Sequence, residues 1–203
     1  MNLEVKPKLK GRQHFDEKYI KVGGKDHYDL NCIDNETKYI TAHLFVDKRT
    51  LSKCVEFLNQ IKIQCYDQII EKYKQNKKIV FVCDKFWNYK GAFNKLFFRV
   101  ATLRFGIPIK LKVAGLKHNN NPIERYNGDI KDRIKIMRGE FREFKKAEAF
   151  LNLKRIIHNF VNPHSSLDGK TPAEAAEIYL GLGRTKLLNL IQKRAKKEHH
   201  SLR

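Results

Sequence analysis

A run of five apolar residues near the middle of the chain constrains the fold most. Residues 79–83 read Ile-Val-Phe-Val-Cys without a polar interruption, and Asp84 follows them directly. Continuous apolar runs of this length are typical of strands that helices cover on both faces. The run therefore predicts an inner strand of an α/β sheet, with an acid at its carboxyl end.

Shorter segments that alternate between polar and apolar residues precede this run. Strands are expected at residues 14–22, 27–33 and 38–46. Short turns separate them, at Gly23-Gly24 and at residues 34–37, so the three strands are expected to pair antiparallel. A helix follows, with Thr50 as its candidate N-cap and a helical period that ends near Tyr73. Three antiparallel strands, a helix and a buried strand predict a mixed sheet with βα units.

The second half of the chain is predicted to be mainly helical. Helices are expected at residues 89–103, at 122–138 with Asn121 as the N-cap, at 145–161, and from residue 171 onward. A short strand is expected at residues 107–113, where Pro108 is typical of a sheet edge. The sequence TPAE at residues 171–174 has the pattern of a capping box.

The chain divides into three parts on these patterns. Residues 1–12 are polar and basic and are expected to form a loose arm. Residues 13–180 are expected to form one core domain, and residues 181–203 a short helix that becomes a basic tail.

The charge of the chain indicates a polyanionic partner. There are 42 Lys and Arg residues against 22 Asp and Glu residues, a formal net charge of +20, which favours nucleic acid. No apolar run approaches bilayer length, and the first residues lack the apolar core of a signal peptide, so we expect a cytoplasmic protein with no membrane partner. The four cysteines have no CxxC spacing and are expected to be reduced and buried.

Three acids lie at positions where α/β proteins build their sites. Asp16 is in the first strand, Asp84 follows the buried strand, and Glu124 is near the start of a helix. If the first and fourth strands are neighbours, Asp16 and Asp84 lie side by side, and two carboxylates that close are costly without cations. This arrangement can hold a pair of Mg²⁺ ions, roughly 3.5–4 Å apart, for phosphoryl transfer.

Each of these acids also has a structural interpretation. Asn121-x-x-Glu124 has the spacing of a capping box, in which Glu124 only reaches back to the helix start. The face that carries Glu124 continues, at helical period, with Asn127, Gly128, Lys131, Lys135 and Arg138. Those cations could belong to a solvated face. Asp16 has alternatives close by in Glu17, Asp26, Asp29 and Asp34.

Four stretches of the sequence resemble the catalytic core of insertion-sequence transposases of the DDE class. They are HFDEKYIKVGGK, FVCDKFWNY, HNNNPIERYNGDIKDRIKIMRG and NFVNPHSSLDGKTPAEAA. The resemblance runs over residues 14–179 and implies an α/β fold of the RNase H-like, integrase type with C-terminal helices. The three acids of that family match Asp16, Asp84 and Glu124.

The resemblance implies metal-dependent cleavage and transfer of DNA strands. Two Mg²⁺ ions, or Mn²⁺, held by the three acids would let water attack a phosphodiester at the end of a prokaryotic mobile element, and the freed 3′-hydroxyl would attack target DNA. Double-stranded DNA is the implied partner, and a homodimer or larger assembly is expected because two ends must be joined. The residues expected to line the DNA are Arg125, Asn127, Lys131, Lys135, Arg138 and, in a supporting turn, His164.

The chain departs from the family pattern ahead of the first strand. Members usually carry a helix-turn-helix segment there, and only about a dozen residues precede the strand, so that segment is expected to be missing. Gln13 or His14 stands where a tryptophan is often found, and Lys18 where threonine is often found. Two alternatives therefore stay open, a catalytically inactive DNA-binding remnant or regulator, and another nuclease of the RNase H fold.

Overall fold

The computed structural model describes residues 6–106, 121–137 and 140–201. Within these ranges, one sheet has the strand order β3-β2-β1-β4-β5. Its strands are β1 Gln13–Val22, β2 Lys25–Asp34, β3 Ile40–Val46, β4 Val80–Cys83 and β5 Thr102–Phe105. The pairs β1·β2 and β2·β3 are antiparallel, whereas β1·β4 and β4·β5 are parallel. The predicted mixed sheet, with three antiparallel strands followed by βα units, is confirmed.

Helices cover both faces of this sheet. They are α1 Leu51–Lys74, α2 Trp87–Phe97, α3 Asn121–Ile136, α4 Phe144–Phe160, α5 Pro172–Ala175 and α6 Lys186–Ser201, with a 3₁₀ turn at Ser165–Leu167. In the part of the chain that the structure describes, none of these helices combines the length and apolarity needed to cross a membrane.

Alternation along the strands divides the core between the two faces. One face of β1 and β2 presents Phe15 and Leu30 to Phe57 of α1 and Tyr89 of α2. On the other face, Ile20, Val22, Ile33 and Phe45 form a second apolar cluster with Ile123 and Ile130 of α3 and Leu151 of α4. The four cysteines are free and buried, as predicted. The sheet is therefore an inner layer between two layers of helix.

Local signals in the sequence account for the ends of several elements. The Thr50 side chain accepts the Lys53 N–H and caps α1. Thr171 and Glu174 form the predicted capping box, each side chain accepting a backbone N–H of the other residue. Gly23 and Gly24 make the turn between β1 and β2 with φ of 56° and 75°, values that suit glycine.

The end of α2 differs from the prediction of a helix over residues 89–103. The helix ends at Phe97, and Arg99 takes a φ of 69°, which a continuing right-handed helix does not allow. Leu103 then pairs with Phe81 in the parallel β4·β5 ladder. Pairing with the buried strand has overridden the helical period. The strand predicted at residues 107–113 lies outside the described residues.

The prediction of a loose basic arm is wrong for residues 6–12. Leu9 is buried in the core, and its backbone N–H donates to Gln68 of α1. The backbone N–H groups of Lys10 and Gly11 donate to the buried Asp34 carboxylate. These hydrogen bonds hold residues 6–12 against α1 and the end of β2. A buried carboxylate such as Asp34 requires hydrogen-bond donors of this kind.

The C-terminal part also differs from its prediction. Instead of a short helix followed by a tail, α6 continues from Lys186 to Ser201. The residues beyond Ile191 include Gln, Lys, Arg and Ala, which favour helix, so the basic sequence extends the helix rather than ending it.

Candidate active site

The register of β1 against β4 brings two of the predicted acids together. Gln13 lies opposite Phe81 and His14 opposite Val82 in this parallel pair. Asp16 follows Gln13 by three residues, and Asp84 follows Phe81 by three residues. The two acids therefore lie level with each other where β4 ends. Carboxylate oxygens of Asp16, Glu17 and Asp84 lie within 4.8 Å of one another. The side-by-side arrangement expected from neighbouring strands is present.

The electrostatics of this acid cluster disfavour three simultaneous negative charges. Burial and the nearby Glu17 charge raise the pKa of Asp16 to about 7, and the charges of Asp84 and Glu124 act in the same direction. Burial and the Asp84 charge raise the pKa of Glu17. Burial also raises the pKa of Asp84. A divalent cation between these oxygens would offset the repulsion that, after burial, raises the pKa values of Asp16 and Glu17.

The donor set of the acid cluster fits a hard divalent cation. Mg²⁺ and Mn²⁺ prefer carboxylate oxygens, and these are what Asp16 and Asp84 present. A further polar atom lies beside them. Asn127 contacts Asp16, and its Oδ1 is buried without a hydrogen-bond partner among the residues that the structure describes. An unpartnered polar oxygen next to clustered carboxylates is consistent with a site that a hydrated ion completes.

Glu124 lies beside the acid cluster rather than within it. It is in the first turn of α3, close enough to Asp16 for its charge to raise the pKa of Asp16. It does not join the three carboxylates that share the 4.8 Å separation. Burial raises the pKa of Glu124 itself. Its role as a third metal ligand stays a prediction. Its helix begins at Asn121, one residue earlier than predicted.

Glu17 is the acid that the sequence did not single out. Its Oε2 accepts a hydrogen bond of 2.9 Å from the Tyr89 hydroxyl, and its Oε1 pairs with Arg49. The Arg49 guanidinium also lies over the rings of Phe86 and Tyr28, at 4.4 and 4.7 Å. Strand alternation directs Glu17 toward the α1 and α2 side, away from the face that Asp16 takes. No sequence pattern indicated that both carboxylates would still meet Asp84 at the strand end.

The remaining alternatives to Asp16 have other roles. Asp29 is buried and pairs with His43 at 2.6 Å, and it also accepts a bond from the Asn31 amide. Asp34 is buried among backbone N–H groups. Asp26 is exposed in the β1–β2 hairpin. Only Glu17 of this group reaches the acid cluster in the described ranges.

The prediction that Asn127 lies on the helix face opposite the core is wrong, whereas its contact with DNA stays a prediction. Its side chain is 5% exposed and its Nδ2 lies 3.4 Å from Asp16 Oδ2, toward which it donates. The buried stripe of α3 is wide enough to include Asn127 beside Ile123 and Ile130, because the helix packs into the sheet next to β1. Asn127 therefore orients Asp16.

The predicted cations form two exposed groups. Lys131 and Lys135 lie near Lys18 of β1, whose pKa burial and the Lys131 charge lower. Lys18 shares a strand face with Asp16, because side chains two residues apart in a strand point to the same face. Arg125 lies near His164 instead. Arg138 lies outside the residues that the structure describes.

His164 has a structural role in its own turn. Its Nδ1 accepts the Ser166 N–H at 3.2 Å and caps the 3₁₀ turn Ser165–Leu167. Burial, together with the charges of Lys38 and Arg125, lowers its pKa. Two cationic side chains, Lys38 and Arg125, thus lie near His164. A contact between its ring and DNA stays a prediction.

The strand order of this mixed sheet, with Asp16 of β1 level with Asp84 at the end of β4, is that of an RNase H-like catalytic core. The model of a DDE domain, that of the IS240 type of transposase, matches residues 11–164. Because this match covers more than half of the chain, the protein belongs to the DDE-domain family of IS240-type transposases. No curated protein sequence matches the chain.

Solved structures support the same fold. A chain of the simian T-cell lymphotropic virus intasome in complex with PP2A regulatory subunit B56 gamma superposes with a TM-score of 0.58 and 11% identity, over 89% of this chain and 59% of that one. The HTLV-2 integrase catalytic core domain in complex with magnesium, in its trimeric form, gives 0.50 and 14%, over 83% of this chain and 97% of that one. This chain thus spans less than two thirds of the intasome chain. At these identities the similarity shows the fold.

Proposed function

We propose that this chain is the transposase of a prokaryotic insertion sequence, which cleaves DNA at the ends of its element and joins them to target DNA. One observation carries the proposal. In a DDE-family chain, the β1·β4 register brings Asp16 of β1 level with Asp84 at the end of β4, with Glu124 of α3 beside them. That arrangement suits metal-dependent phosphoryl transfer.

Asp16 and Asp84 would hold two Mg²⁺ or Mn²⁺ ions, with Glu124 as the third carboxylate. When bound, these ions supply Lewis acidity that activates an attacking oxygen and stabilises a leaving one. Glu17 is the less suitable ligand, because Arg49 and Tyr89 each engage one of its two oxygens. The magnesium in the HTLV-2 integrase core supports this choice of ion.

The surrounding side chains position the acids and the DNA. Asn127 donates to Asp16 and fixes the direction of its carboxylate. Lys18, Lys131 and Lys135 form a cationic group on the face of β1 that carries Asp16, where they would hold the phosphate backbone. Contacts of this kind do not depend on base sequence and weaken steeply with salt.

The test is cleavage and joining of short labelled duplexes that carry the element's ends, in Mg²⁺ or Mn²⁺. We expect the wild type to produce joined products and both Asp84→Asn and Glu124→Gln to abolish them. Asp26→Asn removes an exposed acid outside the cluster and is the matched control, with activity retained. Glu17→Gln should retain more activity than Glu124→Gln.

Two other outcomes would point to the alternatives. Cleavage without joined products would indicate a nuclease of the same fold. DNA binding by all variants with no cleavage in either metal would indicate a DNA-binding remnant or regulator. Assembly is tested separately, by sedimentation with end-mimicking DNA. We expect a dimer or larger complex, and monomers alone would contradict that part of the proposal.

A further inference from the structure

Trp87 is the one tryptophan of the sequence, and its side chain is 77% exposed. It is the first residue of α2 and follows Asp84 by three positions. Since consecutive Cα atoms are 3.8 Å apart across trans peptides, the Cα atoms of Trp87 and Asp84 lie within about 11 Å of each other. A large aromatic ring is therefore presented to solvent close to the acid cluster.

Packing does not explain this tryptophan. The buried stripe of α2 consists of Tyr89, Ala92, Phe93 and Phe97. Trp87 is outside that stripe, and its neighbour Phe86 packs under the Arg49 guanidinium instead. Tryptophan is highly buried on average in folded proteins, and this exposed indole lies close to the acid cluster, where a bound substrate would pass.

The charge around Trp87 complements a nucleotide. The Lys90 Nζ lies 5.2 Å from the centre of the indole ring, and both Lys85 and Lys90 are exposed. Phe86 at the N-cap of α2 offers no side-chain acceptor, so N–H groups of the first turn also present partial positive charge there. An exposed aromatic ring with the Lys90 ammonium over it and Lys85 close in sequence matches a base with its phosphates.

We propose that Trp87 stacks on an unpaired base of the DNA strand that passes Asp84, while Lys90 contacts a neighbouring phosphate. This inference rests on the proposed function. Every base has a π-face, so the contact would be tolerant of sequence. The contact requires a base that is not stacked on its neighbours in the DNA, which favours frayed or single-stranded ends over fully paired DNA.

A second exposed aromatic residue, directly after the end of the same helix, supplies a matched control. Phe98 follows the last residue of α2, is 64% exposed, and has the Arg99 guanidinium 5.4 Å from its ring centre. It repeats the pairing of an exposed ring with a cation. The length of the helix, about 16 Å for eleven residues at 1.5 Å each, separates it from Trp87.

The single tryptophan lets its own fluorescence report the contact. The probe is a short duplex with a thymidine overhang of about five nucleotides, compared with the same duplex without the overhang and with abasic sites in it. Anisotropy of a label on the DNA measures binding in the same titration, and Ca²⁺ replaces Mg²⁺ so that the DNA stays intact. We expect the overhang to quench the emission of Trp87, and the abasic overhang to bind without quenching.

Substitutions complete the test. Trp87→Ala should weaken binding of the overhang DNA roughly 5- to 150-fold, the range that stacking of one base covers, with little change for the blunt duplex. Trp87→Phe should retain most of the affinity, and Phe98→Ala all of it. Unchanged melting temperatures would show that the variants fold, as expected for exposed positions.

The outcomes separate this inference from the proposed function. Equal binding of the overhang by wild type and Trp87→Ala, with no quenching in the wild type, would overturn the stacking contact and leave the proposed function standing. Absence of any DNA binding by the wild type would overturn both.

Discussion

Asp34 and Asp16 are carboxylates of one strand pair with opposite surroundings. Asp34 ends β2 opposite Gln13, is fully buried, and accepts hydrogen bonds from several N–H groups. Those donors are the backbone of Lys10, Gly11, Glu36 and Thr37 and the side chain of Gln13. Asp16 lies three residues further along β1, where it faces Glu17 and Asp84 and the long contact with Asn127.

The comparison shows that Asp34 stabilises the fold, whereas the fold holds Asp16 for another purpose. Charged oxygens that accept several N–H bonds stabilise their surroundings. Carboxylates held against each other lower stability unless a cation joins them. The supply of donors, rather than residue type or burial, therefore distinguishes Asp34 from Asp16.

The largest effect is expected from removal of the well-satisfied carboxylate. Asp34→Ala leaves buried N–H groups without an acceptor and releases residues 6–12, so we expect a loss of about 4 kcal/mol in the free energy of unfolding. Urea denaturation measures it, with Asp26→Ala as an exposed control that should change stability by no more than about 0.5 kcal/mol. A loss as small as that of the control would show that the contrast between the two carboxylates is wrong.

Removal of the poorly satisfied carboxylate should act in the opposite direction. Burial and the Glu17 charge raise the pKa of Asp16 to about 7, so its ionised form destabilises the folded state, fully above pH 7 and progressively less as the pH falls toward 4. We expect Asp16→Asn to stabilise the protein by about 1–2 kcal/mol at pH 8 in EDTA. Mg²⁺ should then stabilise the wild type but not the variant. A variant less stable than the wild type in EDTA would contradict the comparison.

Glu17 is intermediate, since it belongs to the acid cluster and still has two strong donors. Tyr89→Phe removes one of them at a fully buried position, and we expect a loss of about 1 kcal/mol. The same substitution in a Glu17→Gln background should have a smaller effect, which thermal and urea denaturation of the four proteins would measure. Equal losses in both backgrounds would mean that the hydroxyl stabilises the protein without its bond to Glu17.

The smallest effect is expected for the buried residue His158 of α4. Burial lowers the pKa of His158, whose Nε2 lies 2.8 Å from the Lys38 carbonyl oxygen. The unfolded state therefore takes up a proton near pH 6.5 when the folded state does not, and stability falls as the pH falls below that value. We expect His158→Gln to lose less stability than the wild type, by under about 1 kcal/mol, between pH 7 and pH 5.5. Parallel curves over this range would exclude His158 as the cause.

The parts of the fold that local chemistry determines were predictable from the sequence. Strand alternation, the Gly23-Gly24 turn, the Thr50 cap and the TPAE capping box at residues 171–174 each act over a few residues. The end of α2 and the burial of Leu9 were not predictable in this way. Both depend on elements distant in sequence, the β4 strand for the first and Gln68 with Asp34 for the second.

The candidate site was predictable to a similar extent. The proximity of Asp16 and Asp84 followed from the expected pairing of β1 with β4, because the register of two neighbouring strands sets their residues side by side. Glu17 and Asn127 did not follow, since their contacts depend on side-chain direction and on the angle at which α3 packs against β1. Periodicity assigns a residue to a helix face, but it does not say how wide the buried part of that face is.

The parallel pairing of β1 with β4 makes the site sensitive to sequence length as well as to residue type. An in-frame insertion or deletion of one codon between those for Gln13 and Asp16 would turn Asp16 to the opposite face of the sheet. A change of two codons would restore the face but displace the carboxylate from Asp84 by about 6.6 Å, two residues of strand rise. Surface loops elsewhere in the protein can change in length without moving the acids, whereas the interval from Gln13 to Asp16 must keep its length.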